Sequence, residues 1–387
     1  MKICVLLECN LSHLRGTFMA IHNRMKYYMK DSSLEVSLYN FRHYYDTLSN
    51  LVKGNKPIEK KNDFYYEGIH YHCLYYKRSY IDYICRSISN YQTTIEVGRI
   101  KQYSNLFRDY NLIFAHSLYT GLLAADIKNK YDIPYVMMWH GSSIHTAPFK
   151  NQTIYKLTSK VLTESNHNFF VSKELMDTAE MIASNSISKS VSLNGVDTEE
   201  FYRYKDDRIS SVSKKLLVDR SLFNIAFIGN YLPIKNVQYL PKLFNSIYMD
   251  YKDTFFHIIG TGPFKEDFAN INLPVRFWGN QRPSDMPDIY NCMDLIVQPS
   301  FNEGLPMTCL ESLACGTSYI GSRVGGIADV AGVDNTIPVT PSFEEDFAKK
   351  CKAMISQKNI LATHLNNKYE IKRIVNTELK VIKRLSN

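Results

Sequence analysis

Short apolar runs of strand length recur along the chain, and segments with helical periodicity lie between them. The clearest runs in the first half are Ile3–Leu7, Leu112–Ala115 and Tyr135–Trp139, and a helical pattern fills Gly121–Tyr131. Continuous apolar runs are typical of strands that are buried on both faces of a sheet. Strands that alternate with helices therefore predict an α/β fold with a parallel sheet covered on both faces.

The same alternation resumes after residue 200. Apolar strand patterns appear at Asn224–Ile228, Thr254–Ile259 and Asp294–Gln298, and Phe343–Leu385 has a helical pattern rich in basic residues. A chain of 387 residues is long enough for two domains that each bury a core. The charged run Tyr202–Lys215 predicts an exposed linker between them.

One segment has no clear pattern. Residues 40–80 are aromatic and basic, and they predict irregular structure with loops at 53–57 and 59–63.

The stretch Ser300–Gly316 combines several structural signals. It follows a strand and begins as a polar loop, and Pro306 suits the first position of a helix because a proline there loses no intrahelical hydrogen bond. Met307 starts an apolar pattern with helical spacing, and Gly316 suits the left-handed residue after a helix end. The sequence therefore predicts a strand, a loop and a short helix.

Such a loop can bind an anion at the start of the helix, where backbone amides are unpaired and the helix dipole is positive. Gly304, Leu305, Pro306 and Met307 occupy this position. Gly304, Leu305 and Met307 can each donate a backbone N–H to the anion, whereas proline has none. A carboxylate does not bind phosphate, so Glu303 and Glu311 are expected to accept hydrogen bonds from hydroxyls on either side. The predicted ligand is a nucleotide-sugar.

Charge and composition limit the partners and the compartment that can be expected for this protein. Residues 1–205 hold 25 Lys and Arg against 19 Asp and Glu, and residues 206–387 hold 21 against 19. The basic first half fits contact with an anionic membrane surface or ordinary scatter of charge, and both interpretations stay open. The chain has no apolar run of the roughly 20 residues that a membrane helix needs, and no nucleic-acid-binding motif. We expect a protein without a nucleic-acid partner, in a reducing compartment because its eight cysteines lack paired spacing.

The acidic pair resembles a known signature. Glu303 and Glu311, with seven residues between them, and the intervening Gly304-Leu305-Pro306 resemble the E-x7-E motif of the retaining glycosyltransferases of family 4. Three further segments are similar to motifs of that family, namely Met138-Trp-His-Gly-Ser-Ser143, Asn194-Gly-Val-Asp197 and Gly229-Asn-Tyr-Leu-Pro-Ile-Lys235. The resemblance covers nearly the whole chain and is strongest over residues 191–330.

The resemblance implies the GT-B fold, in which two Rossmann-like domains face each other across a cleft and a C-terminal helix crosses back to the first domain. The implied boundaries are an acceptor-side domain at 1–200, a nucleotide-sugar-binding domain at 201–365, and a helix at 366–387 that packs on the first domain.

The resemblance also implies roles for individual residues. His140 would face the donor sugar, Lys235 would hold the diphosphate, and Glu303 would orient the sugar. Asn230 stands where the family has a second cation, an arginine. Other expected donor contacts are the glycines that follow or precede strands and helices, Gly16, Gly229 and Gly279.

The expected activity is transfer of a sugar from a UDP- or GDP-linked donor to a glycan or lipid-linked acceptor, with retention at the anomeric carbon. No D-x-D motif occurs, so the transfer is expected to be independent of metal and of any cofactor, the nucleotide-sugar being a substrate. The dinucleotide fingerprint G-x-G-x-x-G is also missing.

Two alternatives remain open, a non-hydrolysing sugar-nucleotide epimerase and a non-catalytic subunit of a transferase complex. By analogy with the family, we expect a cytoplasmic protein at the inner face of the plasma membrane that takes part in capsule or lipopolysaccharide synthesis.

Overall fold

The computed structural model divides the chain into two compact units, Met1–Leu193 with Lys372–Asn387, and Asn194–Ile371. The structure describes residues 1–11, 16–45, 60–79, 91–183, 187–262, 272–357 and 365–385. Within those ranges no helix combines the length and the apolar character that crossing a membrane requires. The boundaries expected after residues 200 and 365 stay predictions.

The first unit is built on an eight-stranded sheet with the order β3-β4-β2-β1-β5-β6-β7-β8. Every pairing is parallel except that of β3 with β4. The strands are β1 Lys2–Leu7, β2 Glu35–Tyr45, β3 Asp63–Tyr66, β4 Ile69–Arg78, β5 Leu112–Ala115, β6 Tyr135–Trp139, β7 His167–Phe170 and β8 Lys189–Val191.

The apolar runs form the centre of this sheet. All five residues of Ile3–Leu7 and every residue of β5 and β6 are buried, as expected for strands covered on both faces. Because the three strands run parallel, their carboxyl ends lie at one edge of the sheet. Glu8, His116 and His140 follow β1, β5 and β6 at that edge.

Helices connect these strands. They are α1 Thr17–Tyr28, α2 Tyr91–Lys101, α3 Leu118–Tyr131, α4 Ser142–His145, α5 Ala147–Lys150, α6 Gln152–Glu164 and α7 Lys173–Ile182, with a 3₁₀ helix at Ser104–Phe107. Ser117 starts α3 by accepting a hydrogen bond from the amide of Thr120, whose side chain bonds back to the Ser117 amide.

The prediction of irregular structure over residues 40–80 is wrong for most of the residues that the structure describes, although residues 60–62 lie in a loop, as expected for 59–63. β2 extends to Tyr45, and β3 and β4 form a hairpin whose turn places Glu67 and Gly68 at positive φ. Tyrosine and histidine occupy many of these strand positions, and aromatic side chains suit strands although they leave no clean apolar alternation. The loop expected at 53–57 lies outside the described residues.

The second unit contains a six-stranded sheet with the order β11-β10-β9-β12-β13-β14, parallel throughout. Its strands are β9 Phe223–Ile228, β10 Thr254–Ile259, β11 Val275–Gly279, β12 Leu295–Gln298, β13 Ser318–Ser322 and β14 Thr336–Ile337. The helices are α8 Asp206–Leu216, α9 Leu240–Asp250, α10 Met286–Asn291, α11 Met307–Ala314, α12 Ile327–Ala331 and α13 Phe343–Ser356. Short 3₁₀ helices lie at Pro233–Lys235, Val237–Tyr239, Pro283–Asp285, Val333–Asn335 and Asn367–Tyr369.

The core of the second unit joins the sheet to the helices α9 and α13. Phe227 and Phe256 from the sheet are buried with Leu243 from α9 and Phe347 from α13. Phe244 also stacks on Phe256 with ring centroids 4.3 Å apart. This packing fixes the sheet whose carboxyl edge carries the candidate site.

The prediction of a linker at Tyr202–Lys215 is wrong from Asp206 onward, because Asp206–Leu216 forms α8. Ile209 and Val212 are buried one helical turn apart, and two acidic residues in the first turn suit the helix dipole. Two apolar positions among many charges are enough to bury one face of a short helix.

The last helix, α14 Ile371–Leu385, belongs to the first unit from Lys372 onward. Its Glu378 is almost fully buried and accepts hydrogen bonds from Arg24 Nε at 3.0 Å and Tyr28 Oη at 2.9 Å. Ser192 Oγ also donates to Glu378. The first unit is therefore completed by a segment that lies nearly two hundred residues further along the chain.

Candidate donor-binding site

The carboxyl ends of β9 and β12 lie next to each other in the second sheet, and the loop after each strand carries a predicted catalytic residue. Lys235 follows β9 and Glu303 follows β12, and Lys235 Nζ lies 2.5 Å from Glu303 Oε1. The backbone joins the two loops as well, because the Phe301 amide donates to the Ile234 carbonyl at 2.8 Å. The structure thus brings the predicted cation and carboxylate of one site together.

Glu303 is held by neighbours from its own strand and loop. Ser300 Oγ donates to Glu303 Oε1 at 2.7 Å, and Gln298 Nε2 donates to the same oxygen at 2.9 Å. Gln298 is itself oriented by Thr308, whose hydroxyl donates to Gln298 Oε1 at 2.6 Å. The side chain of Glu303 is only 8% exposed and that of Lys235 is 22% exposed, so both are largely screened from bulk water. Such an arrangement fixes the carboxylate before any ligand arrives.

A second loop supports the backbone at Glu303 from the other side. Gly325 has φ of +54°, and a Cβ built there would lie 2.1 Å from the Glu303 carbonyl oxygen. The neighbouring Gly326 amide donates to the Gly304 carbonyl at 2.7 Å. Asn194 Nδ2 donates to the Leu305 carbonyl at 3.0 Å, which links the Asn-Gly-Val-Asp segment to the same loop. Only glycine allows the approach at position 325.

The helix α11 begins directly after this loop. It spans Met307–Ala314, so Pro306 is the N-cap residue rather than the first helical residue as expected. Its ψ of 130° is extended, as at most N-caps, which moves the helix start by one position. Gly316 has φ of +73°, which confirms the left-handed residue expected after the helix. No side chain caps the first turn at Pro306, which leaves this end of the helix for backbone donation.

Glu311 lies about one turn inside α11 and contacts Tyr290. Tyr290 Oη donates to Glu311 Oε2 at 2.8 Å. The pKa of Glu311 is raised to about 7, because burial and, to a smaller extent, the negative charge of Glu200 outweigh the opposing hydrogen bond from Tyr290. Its contact with a ribose stays a prediction.

The other expected donor contacts lie at the same edge of the second sheet. The Gly229 amide donates to the Ile259 carbonyl at 2.9 Å, and Asn230 is exposed at the start of the loop that leads to Lys235. Gly279 ends β11 with φ of +66°, two strands away from β9 in the sheet order.

The remaining two predicted residues belong to the first unit. Gly16 is the exposed N-cap of α1 with φ of +56°. His140 follows β6, and its Nε2 lies 3.1 Å from Nδ1 of His116, which follows β5. Burial, followed by the nearby charge of Arg24, lowers the pKa of His140 to about 3, so its imidazole is neutral at neutral pH.

Sequence reasoning missed His116 as a member of this pair. Its ring stacks on that of His140 with centroids 5.4 Å apart, and its Nε2 is buried without a hydrogen-bond partner. Its pKa also lies well below the usual value, mainly because of burial. The sequence does contain a signal for His116 as a site residue, because it directly follows the apolar run Leu112–Ala115, just as His140 follows Tyr135–Trp139.

Comparison with known proteins shows a family similarity for the part of the chain that carries this site. Residues 223–357 match the family model described as glycosyl transferases group 1. The second unit is similar to group 1 glycosyltransferases over these residues. The match contains Lys235, Glu303 and Glu311, and it confirms the resemblance that the Glu303 motif indicated.

Two curated relatives and one solved structure are representative. TuaC of Bacillus subtilis (strain 168), named for teichuronic acid biosynthesis, is 24% identical over 240 residues, which are 62% of this chain and 60% of TuaC. The UDP-Gal:alpha-D-GlcNAc-diphosphoundecaprenol alpha-1,3-galactosyltransferase of Escherichia coli is 26% identical over 64% of this chain and 66% of its own. The chain thus spans about three fifths to two thirds of the length of these two relatives.

The structure of Anabaena Alr3699/HepE in complex with UDP superposes with a TM-score of 0.74 at 15% identity, covering 99% of this chain and 100% of that chain. This similarity confirms the predicted GT-B fold.

Proposed function

We propose that the protein is a retaining, metal-independent glycosyltransferase that transfers a sugar from a UDP- or GDP-linked donor to a glycan or lipid-linked acceptor. The contact between Lys235 and Glu303 carries this proposal, because it places a cation and a carboxylate where two parallel strands end. Ligands of open α/β sheets bind at this edge of the sheet.

In the proposed reaction the bond between the anomeric carbon and the diphosphate breaks, and negative charge grows on the leaving phosphate. Lys235 and the backbone amides at the start of α11 stabilise that charge. Glu303 accepts hydrogen bonds from the sugar hydroxyls, and Glu311 accepts them from the ribose. When the donor binds, its phosphate shares the Lys235 ammonium with Glu303.

In the first unit, His140 is the residue proposed to face the donor sugar. Its neutral imidazole accepts or donates one hydrogen bond without adding charge, and His116 is available to fix which nitrogen carries the proton.

The names of similar proteins support the choice of substrates. The Escherichia coli relative is named for UDP-galactose and a diphosphoundecaprenol-linked acceptor, and TuaC is named for a cell-surface polymer. HepE was solved with UDP. These names support a role in surface polysaccharide synthesis, which we propose takes place at the inner face of the plasma membrane.

A donor screen tests the proposal first. Nucleotide-sugars are tested by thermal shift, since a donor at about 100 times its dissociation constant stabilises by about 2.7 kcal/mol. With the donor found, Lys235→Ala and Glu303→Ala are each expected to lower turnover at least about tenfold. Matched controls are Lys242→Ala and Glu344→Ala, because those two side chains form a similar ion pair in the same unit at 2.6 Å.

Several results would contradict the proposal. Near-native turnover in both Lys235→Ala and Glu303→Ala would contradict the roles proposed for these two residues. Interconversion of the free donor without acceptor would indicate an epimerase, and tight binding of nucleoside diphosphate without transfer to any acceptor would indicate a non-catalytic subunit. NMR of the product reports the anomeric configuration, and inversion would refute retention.

A further inference from the structure

Three side chains with metal-ligating atoms share one face of the β3–β4 hairpin in the first unit. Asp63 on β3 lies directly opposite His72 on β4, and Tyr65 lies opposite His70. Because successive side chains of a strand alternate between faces, Asp63 and Tyr65 point to the same side as His70 and His72. The hairpin register therefore gathers two imidazoles and one carboxylate.

The atoms are close enough to share one ion. His70 Nε2 lies 2.5 Å from Asp63 Oδ1, and His72 Nδ1 lies 3.6 Å from the same oxygen. The three potential ligand atoms all lie within 4.8 Å of one another. Zinc bonds to imidazole nitrogen and carboxylate oxygen are about 2.0–2.2 Å long, so ligand atoms around a tetrahedral ion are about 3.4 Å apart. To bind such an ion, the distance between Asp63 Oδ1 and His70 Nε2 has to increase by less than about 1 Å.

Aromatic neighbours hold both imidazoles in place. Tyr65 stacks on His70 with ring centroids 4.6 Å apart and planes 8° from parallel. Tyr39 stacks on His72 at 4.8 Å and 26°. An ion pair between Asp63 and His70 alone would explain one contact, but it would not require a second imidazole nitrogen facing the same carboxylate oxygen.

We propose that Asp63, His70 and His72 bind one divalent transition metal ion, with Zn²⁺ as the representative ion and water completing the coordination. Two imidazoles and one carboxylate suit zinc, nickel and copper, whereas magnesium and calcium favour oxygen ligands. The His70-x-His72 spacing in a strand is the sequence signal for this site, and sequence reasoning did not recognise it.

The site is separate from the sugar-transfer residues of the first unit. In the sheet order, β4, β2, β1 and β5 lie between β3 and β6, the strand that His140 follows. β3 has only four residues and pairs only with β4 in the described sheet. An ion that joins Asp63 to two residues of β4 therefore fixes a short edge strand, and it takes no part in the sugar transfer proposed above.

Metal titration tests this proposal on the full chain after removal of any affinity tag and treatment with a chelator. Isothermal titration with Zn²⁺ is expected to show one site, and Co²⁺ is expected to give visible absorption bands typical of bound imidazole. The double variant His70→Ala/His72→Ala and the single variant Asp63→Asn are each expected to weaken binding at least about tenfold. Asp63→Asn keeps the shape of the side chain, so its effect does not depend on unfolding.

His145→Ala is the matched control, because His145 is also a partly exposed histidine that contacts a carboxylate, at 2.8 Å from Glu174. It is expected to bind Zn²⁺ like the wild type, and Mg²⁺ is expected to produce no heat in any variant. The proposal is overturned if the wild type does not bind Zn²⁺. It is equally overturned if both hairpin variants bind Zn²⁺ as the wild type does, since the ion would then lie elsewhere.

Discussion

The close approach of Gly325 to Glu303 gives a direct test of how the candidate site is supported. Replacing Gly325 with alanine places a Cβ 2.1 Å from the Glu303 carbonyl oxygen and 2.4 Å from that of Gly304. Real Cβ atoms essentially never come within 3.0 Å of such an atom, so the two loops must separate by about 1 Å. Because the clash is with backbone, no side-chain rotation relieves it.

The expected effect on activity follows from that displacement. A misplacement of about 1 Å at a catalytic group can cost about 10²-fold in rate, which corresponds to about 2.7 kcal/mol of transition-state stabilisation. The left-handed backbone adds a separate cost of about 1–2 kcal/mol to the free energy of unfolding. We therefore expect Gly325→Ala to lower kcat/KM for sugar transfer about 10²-fold, in excess of any loss of folded protein.

Gly332→Ala is the matched control for this variant. Gly332 also has positive φ, +84°, but nothing lies within 4 Å of a Cβ at that position. Both variants should lose stability in urea unfolding, and only Gly325→Ala should lose activity. If kcat/KM of Gly325→Ala stays within about threefold of the wild type, the supporting role of this loop is refuted.

Two further predictions concern buried acids. Because the pKa of Glu311 is about 7 in the folded protein against 4.5 for an ordinary glutamate, the folded state holds this proton more tightly. The free energy of unfolding of the wild type should therefore fall, relative to Glu311→Gln, as pH rises from about 4.5 to about 7, and then level off. In the first unit, Glu378→Ala removes the carboxylate that neutralises the buried Arg24 guanidinium, and urea unfolding should show a loss of about 3–5 kcal/mol. Glu35→Ala is the control, because Glu35 forms an exposed pair with Lys2 at 3.8 Å and should cost less than about 1 kcal/mol.

Each of these two predictions, for Glu311 and for Glu378, would be contradicted by a specific result. A constant difference between the wild type and Glu311→Gln across that pH range would show that Glu311 titrates normally in the folded state. Equal stability losses in Glu378→Ala and Glu35→Ala would show that the buried pair does not hold α14.

Strands buried on both faces were predictable because they appear as apolar runs. Leu112–Ala115 and Tyr135–Trp139 have the predicted bounds in the structure. The β3–β4 hairpin was not predictable in the same way, because its residues are aromatic and basic and its stability depends on pairing with β2. The helix α8 could not be predicted from the apolar pattern, because only a few of its residues are apolar.

The candidate site also combines features that the local sequence predicts with features that it does not. The loop and helix around Glu303 are local in sequence, and their residue types predicted them. The contact between Lys235 and Glu303 joins residues 68 positions apart and depends on β9 lying beside β12, an order that no local pattern encodes. The support from Gly325 also depends on tertiary structure, since a glycine pair by itself predicts only a turn.

The pairing of Arg24 with Glu378 also bears on how the protein is made. A ribosome synthesises Arg24 long before residue 378, so the emerging chain carries this cation before the Glu378 carboxylate has been made. The buried surroundings of Arg24 are complete only when α14 packs against them. The first unit is therefore completed only after α14 has been synthesised, and a fragment that stops at residue 193 would lack the helix that completes this interior.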